Sequence, residues 1–239
     1  MKYVVVEVAC QSCSFRNPDF QNFHKTYDLP PPTTLMGMAG AALGLSPKAA
    51  QAYFTEGCEF GVAGSCRGKS NDLWKYRKLK GKEFITDILT REVMFEGRYV
   101  LVYGSDDPSK IERLREAFEQ PVYALTLGNS DGLVKVQCTS IISETIVCEK
   151  LKNCIVAGNL LQEVLTQSSG LEFELHDGTD PMSYEVPVQF SYESDYGVRR
   201  VVRRKELSFI GPSLFVKGLA KKGIQYKDYQ IPLFTLHAE

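Results

Sequence analysis

The chain lacks the short motifs that most cofactor-dependent enzymes carry. Its 239 residues contain no Walker loop, no Gly-x-Gly-x-x-Gly fingerprint, no His-Glu-x-x-His pair and no Gly-x-Ser-x-Gly elbow. Histidine is scarce, with three residues, and tryptophan occurs once. These absences exclude most common cofactor and nucleophile classes, so we expect a protein that works without a cofactor.

A long uncharged apolar run is missing as well. The valine-rich N-terminus is interrupted by Glu7 and does not fit a secretory signal. The apolar run at residues 35–45 has only 11 residues, which is too short to span a bilayer. We therefore expect a soluble, cytoplasmic protein with no membrane contact.

The cysteines do not form a disulfide or metal pattern. There are seven cysteines, an odd number that cannot all pair, and they are spread over the whole chain. This favours reduced thiols over a disulfide framework. Cys10 and Cys13 form a Cys-x-x-Cys pair, and Cys58 with Cys66 is a candidate for the second half of a zinc site. That second spacing does not fit a zinc knuckle, and Cys10 falls in a strand pattern. We expect buried thiols and no metal.

Acidic residues are nearly missing from two short segments, although the net charge of the chain is only −1. Residues 67–82 carry seven lysines and arginines against the single acid Asp72, and residues 199–205 carry five with no acid. Together these segments hold 12 of the 28 basic residues within 23 positions. Such local patches on a nearly neutral chain suit a subunit that grips nucleic acid on one side and packs against protein elsewhere.

Residues 26–44 combine a proline run with a helix that has a small-residue face. Prolines 30–32 restrict φ and favour an extended approach, after which Thr33 or Thr34 is expected to cap the first helical turn. The helix is expected to end at Gly44. Its small face, to which a neighbouring backbone can come close, contains Gly37, Gly40, Ala41 and Gly44.

This segment resembles the first-helix signature of the Cas-five family of RAMP (repeat-associated mysterious protein) subunits, which cap the 5′ end of CRISPR RNA in Cascade-type complexes. The resemblance extends in order over about the first 145 residues. The residues that carry it are Phe15, Arg16, Tyr27, residues 29–32, Thr33, Thr34, Leu35, Gly37 and Gly44, with a second match at residues 127–131.

The order of elements predicts an α+β fold. A strand at residues 3–10, apolar on both sides, precedes the small-faced helix and a strand at 58–64. After a basic insertion come a strand at 98–103, a helix that starts near Asp107 and Pro108, and a fourth strand at 122–127. This β-α-β-β-α-β order is the ferredoxin-like arrangement of RNA-recognition and RAMP folds. We expect a ferredoxin-like domain at 1–145, with its thumb-like insertion at 67–91, and a smaller β-rich region at 146–239.

The insertion mixes Trp74 and Tyr76 with lysines and arginines. Cations contact phosphates and aromatic faces stack on unpaired bases, so the mixture suits single-stranded RNA. The resemblance implies the same, because relatives carry a thumb-like insertion that wedges against the guide RNA. The alternative is a solvated loop whose aromatic residues pack into the core.

Two further segments are weaker candidates for RNA contact. Residues 199–205 suit either a strand that tracks phosphates or an edge strand protected by charge. The turn at 128–132, followed by Lys135, offers backbone amides to an anion. The residues expected to bind RNA are Arg16, Tyr27, Arg67, Lys69, Trp74, Lys75, Arg77, Lys78, Lys80, Asn129, Ser130, Lys135, Arg200, Arg203 and Arg204.

A catalytic alternative rests on His24, Lys25 and Tyr27. Metal-independent RNA cleavage needs a base for the 2′-hydroxyl and an acid for the leaving oxygen, and some members of the family use tyrosine, lysine and histidine in this way. The helix at 108–120 and the strand after it contain no histidine, which departs from the catalytic members. We therefore expect no catalytic residues.

The resemblance implies a noncatalytic RNA-binding subunit of a type I CRISPR Cascade surveillance complex in antiviral defence. Its expected partners are the 5′ handle of CRISPR RNA, the backbone RAMP subunit, the large subunit and, through the complex, target DNA. Two alternatives stay open. One is a metal-independent endoribonuclease that processes precursor CRISPR RNA, and the other is a ferredoxin-like interaction subunit without RNA.

Overall fold

The computed structural model describes residues 1–54, 57–166, 172–175, 182–211 and 214–236, and the side chains of Lys80, Val164, Leu165, residues 172–175, Met182 and residues 214–218 lie outside the description. In this part of the chain, four short helices accompany one large, mostly antiparallel sheet. The helices are α1 (Pro32–Leu43), α2 (Pro47–Tyr53), α3 (Pro108–Glu119) and α4 (Leu160–Thr166). The strands are β1 (Lys2–Cys13), β2 (Phe23–His24), β3 (Cys58–Ser65), β4 (Gly68–Lys80), β5 (Glu83–Ser105), β6 (Val134–Ile142), β7 (Ile146–Leu151), β8 (Cys154–Ala157), β9 (Glu172–Leu175), β10 (Met182–Tyr192), β11 (Arg199–Ile210), β12 (Leu214–Tyr226) and β13 (Tyr229–Thr235).

Strand β1 lies at the centre of the sheet, as its apolar pattern predicts. It pairs antiparallel with β5 on one side and β6 on the other, and β3 pairs with the far side of β5. The local strand order is therefore β6, β1, β5, β3. Val4, Val6 and Val8 pack with residues of α1 and α3 in one buried cluster, whereas Tyr3 and Val5 belong to a second cluster with the C-terminal strands. Both faces of the sheet are thus covered.

Helix α1 ends as expected but begins differently. Gly44 takes the left-handed conformation, φ 73°, and closes the helix. At the other end neither Thr33 nor Thr34 caps the helix, because the N-cap position is occupied by Pro31 and no side chain bonds the first amides. The proline at the first helical position has no amide hydrogen to satisfy, which lowers the need for a cap.

The glycines of α1 lie in two different environments. A β-carbon placed on Gly40 would lie 2.6 Å from the β-carbon of Ala50 in α2, so this glycine permits the close approach of the two helices. A β-carbon placed on Gly37 would meet no atom within 4 Å. The expectation of one continuously packed small face is therefore correct at Gly40 and wrong at Gly37.

Helix α3 agrees with its sequence pattern, but the segment after it does not. Asp107 accepts a hydrogen bond from the amide of Ser109, and Ile111, Leu114 and Phe118 are buried. Residues 122–127, expected to form the fourth strand, are a loop, and the strand that follows α3 is β6. The amides of Val122 and Tyr123 instead donate to the carbonyls of Ala42 and Ala41 at the end of α1. These two amides bond helix-end carbonyls, and the rest of the segment makes only an isolated bridge between Thr126 and Leu133.

The C-terminal part is rich in strands, as expected, and continues the sheet of the first part. Strand β13 pairs antiparallel with β3, and β8 also reaches β3. Strands β10 and β11 form a hairpin joined to β8. Residues 167–171, 176–181, 212–213 and 237–239 of this region lie outside the described part. The boundary at residue 145 stays a prediction.

The segment expected as a thumb-like insertion at 67–91 is a long β-hairpin. Strands β4 and β5 pair from Gly68 with Phe95 to Lys80 with Glu83. Two residues connect them, and Gly81 takes φ 66°, as two-residue hairpin turns require. Strand β5 then continues as a central strand of the sheet. No helix in the described residues is long and apolar enough to cross a membrane.

Substituting the two glycines of α1 by alanine is expected to have opposite effects. Gly40→Ala should lower the free energy of unfolding by about 1–3 kcal/mol, because its methyl group collides with Ala50. Gly37→Ala should raise it by about 0.5–1 kcal/mol, because alanine is the better helix former and nothing opposes the added methyl. Urea unfolding of both variants measures the difference, and equal shifts would contradict the α1–α2 packing.

A second matched pair concerns two buried tyrosines. The hydroxyl of Tyr103 donates to the carbonyl of Leu35 at 3.1 Å, whereas the hydroxyl of Tyr27 has no partner among the described residues. Tyr103→Phe should therefore cost about 1 kcal/mol of stability, and Tyr27→Phe should leave stability unchanged or raise it. Melting temperatures test this, and a large loss in Tyr27→Phe would show that its hydroxyl is satisfied.

Candidate nucleic-acid interface

The β4–β5 hairpin presents two chemically different faces. Side chains alternate along each strand, and residues directly opposite each other share a face. Trp74 pairs with Leu89 and Lys75 pairs with Ile88, and this register assigns every side chain of the hairpin to one of the two faces. We call the face of Trp74 the aromatic face and that of Lys75 the basic face.

The basic face contains no acidic residue between positions 73 and 90. Lys75 and Arg77 lie on it and have no ion-pair partner among the described residues. Four large apolar side chains surround them and are 62–73% exposed. The full set on this face is Leu73, Lys75, Arg77 and Leu79 on β4, with Phe84, Thr86, Ile88 and Thr90 on β5.

The aromatic face is internally paired. Trp74 stacks on Tyr76 with ring centroids 5.8 Å apart, and the Arg91 guanidinium lies 5.5 Å from the Trp74 ring centre. Arg91 also bonds Asp72 at 3.0 Å and Asp131 at 2.8 Å. A hydrogen bond from Lys78 lowers the pKa of Asp87. Trp74, which is expected from the sequence to act together with Lys75 and Arg77, lies on the opposite face of the hairpin from them.

The turn at 128–132 contacts the base of the hairpin through Asp131 and Arg91. Within it, the amide of Gly132 donates to the carbonyl of Asn129, so part of its backbone is already bonded. Ser130 and Lys135 are exposed and Asn129 is half-buried. The turn therefore braces the hairpin, and its exposed side chains lie beside that base.

Most of the other predicted RNA contacts are engaged with protein. Arg67 bonds Glu96, and Lys69 pairs with Asp28. Arg200 lies 3.5 Å from Glu193, Arg204 bonds Asp19 at 3.2 Å, and Arg203 donates to the carbonyl of Leu236 at 2.6 Å. Arg16 is exposed, and the Lys80 side chain lies outside the description.

Strand β11 is not a free edge strand over its whole length. It pairs with β10 from Arg199 onward, and its last four residues also pair with β8. Arg203 and Arg204 reach across to other segments of the chain. Within the basic run at 199–205, Arg203 and Arg204 therefore contribute to packing of the C-terminal strands.

The three residues of the catalytic alternative lie in three environments. His24 contacts the Trp74 ring at 6.1 Å between centroids, and Lys25 lies over the ring of Phe20. Tyr27 is 2% exposed and stacks on Phe209 at 4.9 Å. Burial, together with the charges of Arg16 and Arg91, lowers the pKa of His24. Burial raises the pKa of Tyr27, so its hydroxyl keeps its proton.

Some members of this interface were missed in the sequence. Phe84, Thr86, Ile88 and Thr90 alternate with period two, which is the signal of a strand with one exposed face. Arg91 had no sequence signal, because its role depends on Asp72 and Asp131 meeting in the fold. Of the candidate zinc cysteines, Cys10, Cys13 and Cys58 are buried and Cys66 is half-buried.

Comparisons with solved structures show a shared fold at low identity. A chain described as "CRISPR RNA-guided surveillance complex" aligns with a TM-score of 0.53 and 12% identity, over 91% of each chain. A CRISPR protein from Archaeoglobus fulgidus aligns with a TM-score of 0.52 and 9% identity, over 98% of this chain and 100% of that one. A Cas protein crystal structure with 17% identity aligns over 54% of this chain and 57% of that one, with a TM-score of 0.37.

The sequence itself identifies the family. No curated relative matches the chain. The family model described as CRISPR-associated protein (Cas_Cas5), however, matches residues 3–204, which is most of the 239 residues. The chain therefore belongs to the CRISPR-associated protein (Cas_Cas5) family.

Proposed function

We propose that this chain is a noncatalytic RNA-binding subunit of a type I, Cascade-like CRISPR surveillance complex. The observation that carries the proposal is the basic face of the hairpin, where Lys75 and Arg77 have no acidic partner in the part of the chain that the structure describes. Family membership supplies the context, because it makes CRISPR RNA the first nucleic acid to consider.

The chemistry of the basic face suits a single strand. Two unpaired cations on one side of a β-strand can each contact a phosphate, and such contacts give binding that weakens with salt. Phe84 is 73% exposed and opposite Leu79, where it can stack on an unpaired base. Exposed apolar residues interleaved with cations are unfavourable in water and are explained by a bound partner.

The central strand order supports the ferredoxin-like interpretation. In that fold the two β-α-β units give an antiparallel sheet in which the fourth, first, third and second strands follow one another. The order β6, β1, β5, β3 is this sequence of strands, with α1 and α3 on one face. We propose that this part is a RAMP domain and that the hairpin is its thumb.

We further propose that the 5′ handle of CRISPR RNA is the strand bound and that the backbone RAMP subunit and the large subunit contact the rest of the surface. Target DNA is reached through the complex. Salt-sensitive RNA binding would distinguish the RNA-binding subunit from an interaction subunit that binds no RNA. The complexes of such an interaction subunit would assemble equally well without RNA.

The positions of His24, Lys25 and Tyr27 favour capping over cleavage. General acid–base catalysis needs two groups within hydrogen-bond reach of the reacting oxygens. A tyrosine buried against Phe209 and a lysine over Phe20 do not share such a place with His24. The endoribonuclease alternative would need a rearrangement of the segment at 24–27.

Salt dependence gives the direct test of the basic face. Replacing both Lys75 and Arg77 by alanine should weaken binding of a repeat-derived single-stranded RNA and reduce the slope of log affinity against log salt by about 1.4, since each phosphate contact contributes about 0.7. Filter-binding titrations at several salt concentrations measure both quantities.

A charge-matched control uses Lys150→Ala with Lys152→Ala. Both lysines are exposed and lie on β7 and the turn after it, away from the hairpin. This variant has the same net charge but should keep the wild-type slope. If the two double variants lose the same slope, the effect comes from net charge and the assignment of the basic face is wrong.

The absence of catalysis is tested with intact repeat RNA. Wild-type protein in the presence of a chelator should leave the RNA uncut, and His24→Ala should behave identically. Cleavage at a unique position, slowed about 10²–10⁴-fold by His24→Ala or Tyr27→Phe, would move the chain to the endoribonuclease class.

A further inference from the structure

A cavity of about 310 Å³ lies between α1, α2 and the turn that joins β10 to β11. It is separate from the hairpin, and none of the residues assigned above to the basic face lines it. One side of its wall is formed by aromatic side chains and one arginine: Tyr123, Phe190, Tyr192, Tyr196 and Arg199. Helices α1 and α2, including Gly37, form the other side. Its size lies within the range of small-molecule pockets.

Specific contacts hold the wall in place. The side-chain amide of Gln51 in α2 donates to the carbonyl of Phe190 at 2.9 Å and accepts from its amide at 2.8 Å, as a neighbouring strand would. The Arg199 guanidinium lies 4.6 Å from the Phe190 ring centre. Lys48 lies 3.9 Å from Asp195 in the turn. Hydrogen bonds, a cation–π contact and an ion pair therefore hold the elements around the cavity together.

Gly37 has no structural reason to be glycine. Its backbone is helical, and a β-carbon there would meet no protein atom within 4 Å. Glycine in the interior of a helix is destabilising compared with alanine. A residue that weakens the helix and leaves space empty is explained if an occupant of the cavity lies against that position.

The chemistry of the wall limits the occupant. Aromatic rings favour a planar group, and the Arg199 guanidinium in the wall disfavours a cation such as a methylated ammonium. A nucleobase stacks on aromatic side chains and carries a phosphate that an arginine can contact. We infer that the cavity holds one unstacked base of the bound RNA, with Arg199 at its phosphate. This inference rests on the RNA binding proposed above.

Two substitutions test the cavity without endangering the fold. Gly37→Leu places a side chain into the open space, and Tyr196→Ala removes part of the wall at a turn residue that is 74% exposed. Each should weaken binding of repeat-derived single-stranded RNA by roughly 5- to 150-fold, the effect of losing one base stack. Neither should change the salt slope, because no phosphate contact is removed. Arg199→Ala should reduce that slope by about 0.7.

Abasic scanning of the RNA gives the decisive readout. Removing one base at a time should reveal a position whose loss weakens wild-type binding as much as Gly37→Leu does. That abasic RNA should bind Gly37→Leu with no further loss, since both changes remove the same contact. Losses that multiply at every position would overturn the inference, as would wild-type affinity in both variants. A wild type that binds no RNA would instead overturn the proposed function.

Discussion

The continuity of strand β5 is the constraint on which the rest of the structure depends. Its 23 residues pair with β4 in the hairpin and then with β1 and β3 in the central sheet. Strand β1 pairs with β5 on both sides of the junction, so the hairpin and the core share one ladder, which is interrupted only at Glu96, where φ is 51°. The direction of the hairpin is therefore fixed by the core, and the cations on its basic face are held at defined positions.

The pairing register of this ladder also determines which face of the hairpin each side chain occupies. Opposite residues share a face, so one pairing register places Lys75 and Arg77 among exposed apolar residues and Trp74 against Arg91. A slip of one residue would exchange the two faces. Arg91, which bridges Asp72 and Asp131, links the base of the hairpin to the neighbouring turn and opposes such a slip.

Local patterns in the sequence predicted the elements of the core but not their partners. The alternating valines of β1, the Gly44 stop of α1 and the Asp107 cap of α3 are local signals, and the structure agrees with them. The segment at 122–127 has a strand-like composition, but its first amides bond the end of α1, a choice that depends on tertiary contact. The competition between forming a strand and bonding the end of α1 cannot be recognised from a short stretch of sequence.

In the candidate site, too, the local features could be predicted from the sequence and the features that depend on tertiary contacts could not. The sequence located the basic hairpin and its charge, because composition alone carries that signal. It could not separate Trp74 from Lys75, because no strand register had been assigned to residues 67–91. It also assigned Tyr27 to RNA contact, although Phe209, distant in sequence, covers that side chain. The cavity at Gly37 joins α1, α2 and the β10–β11 turn, which only the fold brings together.

Ultraviolet crosslinking of the protein to repeat-derived single-stranded RNA, followed by mass spectrometry of the adducts, tests the central claim most directly. The account predicts adducts on the basic face, at Phe84 and at the peptides that carry Lys75 and Arg77, and no adduct at the buried Tyr27. Adducts confined to Trp74 and Tyr76, or absent from residues 73–90 in a complex that does form, would contradict it.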